Sequence, residues 1–145
     1  MTPVRDGSAL PAPVIAAYRA AEYRVRAEPA FVLRVDEPSP ALAALHAAHA
    51  VGCSAFLTAW NPRGTPAPAA ENTAAAARLE AALRERGLAL VAGRGIDPAG
   101  EWGGEESVLA LGLGRSEACA VGREFGQNAI LWAAGDAVPR LVLLR

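Results

Sequence analysis

The stretch Ser54-Ala55-Phe56-Leu57-Thr58-Ala59 constrains the fold of this chain more than any other. Successive side chains of a strand point to opposite faces, so this segment is apolar on both. Such a strand belongs at the centre of a sheet covered on both sides. It runs directly into Trp60-Asn61-Pro62, and the turn chemistry of Asn61-Pro62-Arg63-Gly64-Thr65-Pro66 ends it. An indole and a primary amide therefore stand where a buried strand stops. A cleft beside the strand end explains them, and so does a plain turn.

The rest of the chain alternates. Val14 to Val25 reads as a helix, with Val14, Tyr18, Ala21 and Val25 on one face. Phe31 to Val35 is a short strand. Ser39 and Pro40 open a second helix as N-cap and first helical residue, and Gly52 ends it. After the central strand, "ENTAAAARLEAALRERG" is the clearest helix, closed by Gly87. Leu88 to Ala92 is a strand, Gly93 to Gly104 a glycine-rich loop containing Trp102, and Ser107 to Leu113 a strand. Ser116 to Phe125 is a helix, Asn128 to Ala134 a strand, and Arg140 to Leu144 a last strand in a hairpin.

Helix-strand alternation of this kind implies crossover units. The expected fold is a single α/β domain over residues 13–145, preceded by a flexible arm over 1–12. Its sheet is expected to be mixed and mostly parallel, with about five or six strands flanked by helices.

A chain of 145 residues is long enough for one domain with a real core. Its 14 basic residues are all arginine, the net charge is −1, and no basic stripe invites a phosphate backbone. Nucleic acid is therefore not an expected partner. No apolar run of membrane-spanning length and no signal-peptide core is visible. Two cysteines, Cys53 and Cys119, fall in no metal or redox motif. These features predict a cytoplasmic protein without a membrane segment.

The candidate site starts from the long helix. Asn72, Ala76, Leu79 and Leu83 share one face, so Asn72 points inward with the leucines. An inward amide without partners costs about 1–3 kcal/mol. Asn72 therefore caps its helix, ties down the loop after Thr58, or lines a pocket. Gln127 and Asn128 open a later strand, Asn128 alternating with Ile130 and Trp132, and Gln127 with Ala129 and Leu131. They share a rim with Trp60-Asn61 only if their strand runs antiparallel to Ser54–Ala59. Glu105, Glu106 and Ser107 precede another strand, and a carboxylate beside a cleft can act as a general acid or base.

Other motifs carry less. His46 and His49 share a helical stripe but lack a third ligand at a recognised spacing. "LGLGRSE" has Glu117 where a dinucleotide fingerprint needs its third glycine, so it reads as a tight turn. Cys119 has no clear His partner and reads as an inert thiol.

"FVLRV", "TAWNP", "EN" opening an alanine–leucine helix, "W" then "EES", and "FGQNAILW" occur in that order. The ordered set resembles the bacterial domain-of-unknown-function family 3293, over about Tyr18 to Leu144. The resemblance implies a single-domain cytoplasmic protein and supplies no reaction. Its signature positions fall on Trp60, Asn61, Pro62, Asn72, Glu106, Ser107, Gln127 and Asn128.

Three functions are compatible with these residues. One is a pocket for a small polar ligand. There Trp60 stacks, Asn61, Asn72, Ser107, Gln127 and Asn128 orient the ligand, and Glu106 is the catalytic acid/base candidate. The second is a protein-interaction module in which these residues only pin loops. The third, a nuclease-like or toxin-type enzyme, lacks a basic footprint and a metal triad. The sequence does not identify a cofactor.

Overall fold

The computed structural model describes residues 8–100 and 104–145. Residues 1–7 of the expected arm, and Trp102, lie outside them.

In chain order the elements are α1 (Ala12–Ala20), β1 (Glu22–Val25), β2 (Phe31–Leu33), α2 (Pro40–Ala48), β3 (Ser54–Thr58) and α3 (Ala69–Glu85). Then come β4 (Ala89–Ile96), β5 (Glu105–Leu111), α4 (Arg115–Glu124), β6 (Ala129–Ala133) and β7 (Arg140–Leu143). Ser39 caps α2 as its sequence suggests, its Oγ accepting from the Leu42 amide at 3.1 Å. The first helix stops at Ala20, short of the expected Val25. Tyr23 and Val25 are buried while Arg24 is exposed, a period of two, and pairing with two neighbouring strands makes this segment β1. Likewise β4 continues to Ile96, through the start of the expected glycine-rich loop, because Gly93 and Gly95 pair with Ser107 and Glu105.

Among the described residues, the seven strands form one sheet in the order β2-β1-β4-β5-β3-β6-β7. Every neighbouring pair is antiparallel. The mostly parallel sheet of five or six strands is thereby overturned. The physical reason lies in what each helix crosses. α3 carries the chain from β3 to β4, two strands running the same way, but β5 lies between them and opposes both. α4 carries it from β5 to β6, and β3 lies between those. Alternation in the sequence reports the crossovers; it does not report the strand that fills each gap.

The sheet is curled. A flat sheet of seven strands would hold its edges about 29 Å apart at the usual strand spacing. Here the chain just after β2 bonds the chain just before β7: Asp36 N–H to Pro139 O at 2.7 Å, and Ser39 N–H to Ala137 O at 3.0 Å. Leu33 near one edge and Ala137 near the other accordingly belong to one core cluster on the concave face, with Phe56, Leu109, Leu111 and Leu131. The convex face packs Leu57, Val108, Ala110 and Ile130 against Leu79 and Leu83 of α3 and Val121 of α4. The segment around Ser54–Ala59 is thus covered on both faces. Inside the curl, Leu42 and His46 of α2 fill the end near Ser54, where His46 Nε2 lies 2.7 Å from Ser54 Oγ. The opposite end, near Thr58, is where the cavity lies.

Candidate functional site

A cavity of about 600 Å³ occupies that second end of the curl. Its apolar wall comes from the concave faces of the strands, with Tyr23 of β1, Phe56 of β3, Leu131 of β6 and Leu141 of β7. Tyr23 and Phe56 meet edge to face, ring centroids 5.5 Å apart. Helix α1 lies across it, contributing Pro13, Val14, Ala17 and Tyr18. Val14 and Tyr18 are two of the residues whose spacing placed them on one helical face. The helix has no fully buried residue. Tyr18 ties it down: its carbonyl accepts from the Tyr23 hydroxyl at 2.6 Å, and its own hydroxyl accepts from Asn128 Nδ2 at 3.1 Å.

The polar end of the cavity is built by the loop after β3 and the residues just before β6. These meet because β6 is antiparallel to β3, the condition the sequence set for a shared rim. Asn61, Ser107, Gln127 and Asn128 all line the cavity. Gln127 and Asn128 were expected to face opposite sides. β6 begins only at Ala129, so strand alternation does not reach them. Gln127 Nε2 donates to Trp60 O at 3.2 Å, which holds the two rims together. Asn128 Oδ1 accepts from Arg145 at 3.0 Å, so its Nδ2 faces Tyr18.

Three of the expected site residues lie elsewhere. Asn72 is buried and outside the lining; it holds Asn61 in place. Its Oδ1 accepts from the Asn61 amide at 2.9 Å, and its Nδ2 donates to Asn61 Oδ1 at 2.9 Å and to Ala67 O at 3.3 Å. Trp60 is also outside the lining, with its indole N–H buried and without a hydrogen-bond partner among the described residues. Glu106 faces away from the cavity, paired with Arg94 at 2.5 Å and Arg26 at 3.2 Å. Strand alternation explains this placement. On β5, Val108 and Ala110 belong to the convex core, Leu109 and Leu111 to the concave one. Counting back in twos puts Glu106 with the first pair, and Glu105 and Ser107 with the second.

Glu105 is thus the carboxylate of the cavity. Its Oε2 accepts from Asn61 Nδ2 at 3.0 Å. Asn61 Oδ1 is already committed to the Ala67 amide at 3.0 Å, a donor with no alternative role, so the side-chain amide must present its N–H to Glu105. Burial pushes the Glu105 carboxyl up to about 7, against the smaller opposing effect of the Asn61 hydrogen bond. Burial also raises the Tyr18 hydroxyl, and the Glu105 charge adds to that. The sequence placed Glu105 beside Glu106 and took Glu106 as the acid/base candidate. The signal that picks it out is the alternation from Leu109 and Leu111, once the strand is known to start at Glu105.

Arg63 is the second residue the sequence left aside. It lines the cavity and is exposed, so it stands at the rim. Asn61 and Arg63 both adopt left-handed backbone, with φ of 47° and 60°. Such conformations cost non-glycine residues about 1–2 kcal/mol and persist where the surroundings impose them. Here the Arg63 amide donates to Gly126 O at 2.7 Å, and the Gly64 amide to Asn61 O at 2.8 Å. Among the described residues, no three His, Cys, Asp or Glu side chains gather closely enough to hold a metal ion, and no helix is long and apolar enough to cross a membrane.

The class defined by this geometry is a curled antiparallel sheet with two helices on its convex face and, inside one end, a mostly apolar cavity with polar residues at one side. The model of a family described as "Protein of unknown function (DUF3293)" matches residues 57–130, and the chain belongs to that family. The matched span includes Asn61, Arg63, Asn72, Glu105, Gln127 and Asn128. No curated protein and no solved structure matches the chain.

Proposed function

We propose that this protein binds a small molecule in the cavity between α1 and the sheet, with Glu105 as the group that engages it. One observation carries the reading: a carboxyl raised to about 7 sits at the polar end of a mostly apolar cavity of about 600 Å³. Ligand sites commonly combine an apolar wall with a few convergent polar groups, one of them of perturbed acidity. Asn61 is held from behind by Asn72, so its amide is preorganised toward the carboxyl. A carboxyl near neutrality can accept a hydrogen bond or give a proton, which suits it to acid–base work on a bound molecule. The role first read for Glu106 thus fits Glu105 better, and the stacking role read for Trp60 fits Tyr18, Tyr23 and Phe56. Two unpaired cysteines support a cytoplasmic location.

The competing interaction-module reading needs an exposed apolar patch. Among the described residues, Val32 is the one exposed large hydrophobic side chain, which favours the cavity.

The test is a fragment screen followed by amide NMR. Hits should shift the resonances of Gly64, Gly95, Ser107 and Ala129, which border the cavity. Ala17→Phe, which projects a ring from α1 into the space, should abolish those shifts in a folded protein. Hits that map elsewhere, or that survive the filled cavity, would overturn the reading.

A further inference from the structure

The cavity carries two opposite charges that are not spent on each other. Glu105 lies at the inner polar end, where its Oε2 accepts from Asn61 Nδ2 and the residue lines the cavity. Arg63 lies at the rim and makes no ion pair with any described residue, Glu105 included. The arginines on or just beyond β1, β2 and β4 behave differently: Arg24, Arg26, Arg34 and Arg94 each pair with Glu22 or Glu106. An arginine left unpaired at a cavity rim, on a backbone turn that costs energy to hold, is a natural receiver for an anionic group. The turn is also fitted to its neighbour. A Cβ on Gly64, at φ +75°, would stand 3.2 Å from Asn128 Nδ2, so the loop bearing Arg63 closes directly against the cavity's polar residues.

We infer that the ligand is a zwitterion of amino-acid type, its ammonium group received by Glu105 and its carboxylate by Arg63, with an apolar or aromatic body against Tyr23 and Phe56. The inference rests on the cavity reading above and adds its substrate class. An ammonium at Glu105 would restore the charge partner that burial denies the carboxylate. Aromatic faces beside the carboxyl favour a cation there further. A molecule with only one of the two charges would leave Glu105 or Arg63 unmatched in the complex.

Four matched probes separate the possibilities: phenylalanine, phenylalanine amide, N-acetylphenylalanine and N-acetylphenylalanine amide. They carry both charges, the cation alone, the anion alone and neither. Affinities come from NMR titration of the full chain. Phenylalanine should bind at least tenfold more tightly than either singly charged probe. In Glu105→Gln its advantage over N-acetylphenylalanine should vanish, and in Arg63→Gln its advantage over phenylalanine amide. Equal binding of phenylalanine and phenylalanine amide would overturn the anion half of the proposal. Equal binding of phenylalanine and N-acetylphenylalanine would overturn the cation half. Either result leaves a cavity that binds small molecules. If no probe shifts the cavity resonances while unrelated fragments do, the zwitterion proposal fails alone. If neither probes nor fragments shift them, both readings fail.

Discussion

Asn61 Nδ2 donates to Glu105 Oε2 at 3.0 Å, joining the loop after the central strand to the first residue of β5 across the cavity's polar end. The bond ties a buried amide network to a carboxyl that burial holds at about 7, above its ordinary 4.5.

That shift fixes a pH dependence. The folded state holds the Glu105 proton more tightly than the unfolded state does. Stability from this group is therefore fully present below 4.5 and is lost as pH rises through about 7. With solvent reaching part of the side chain, the loss is about 2–3 kcal/mol. Glu105→Gln keeps an acceptor for Asn61 and has no proton to lose. Its stability relative to the parent, from urea unfolding at a series of pH values, should rise by about that amount between pH 5 and pH 8. A pH-independent difference would count against a raised Glu105.

Asn72→Ala should destabilise the fold by about 2–3 kcal/mol, since it strips the Asn61 backbone amide and side-chain oxygen of a buried partner. The loss should not add to that of Asn61→Ala. A double-mutant cycle should return a coupling of about 1–2 kcal/mol. Simple additivity would show that the two amides act independently.

His46 should produce the opposite pH limb. Its Nε2 is 2.7 Å from Ser54 Oγ, its Nδ1 is buried without a partner among the described residues, and burial lowers its pKa below 6.5. The folded state therefore binds this proton less tightly than the unfolded state. Stability from neutral His46 is complete above 6.5 and is lost as pH falls below it. In a Glu105→Gln background, where the opposing slope is gone, His46→Gln should flatten this acid limb. An unchanged limb would assign it to other groups.

Arg63→Gly should stabilise the protein by about 0.5–1 kcal/mol, because glycine holds φ of 60° without the clash an arginine Cβ meets. A gain in melting temperature together with weaker binding of phenylalanine would show that the strain is kept for function. A loss of stability would mean that the guanidinium itself supports the loop.

Much of the local structure was legible because it depends on neighbours in sequence. The two-sided apolar strand at Ser54–Thr58, the Ser39 cap and the inward face of Asn72, Leu79 and Leu83 follow from periodicity and turn chemistry. Four of the expected site residues, Asn61, Ser107, Gln127 and Asn128, do line one cavity. Trp60 and Asn72 do not, because a residue at a strand end or on an inward face can serve the loop next to it instead of the space beyond.

The sequence by itself determined most of the segments that pair or coil, β1 and the end of β4 excepted, that one strand would be covered on both sides, and that an amide, Asn61, would stand at its end. Tertiary structure alone decided that β5 enters between β3 and β4 and β3 between β5 and β6, so that no helix crossover joins two paired parallel strands, and that the sheet curls until its edges meet. It also decided between Glu105 and Glu106. The two are adjacent and chemically alike, and only the register of β5 against β3 and β4 sends one into the cavity and the other to Arg26 and Arg94. Register is set by contacts between residues far apart in the chain, and a shift of one position exchanges the two faces of a strand.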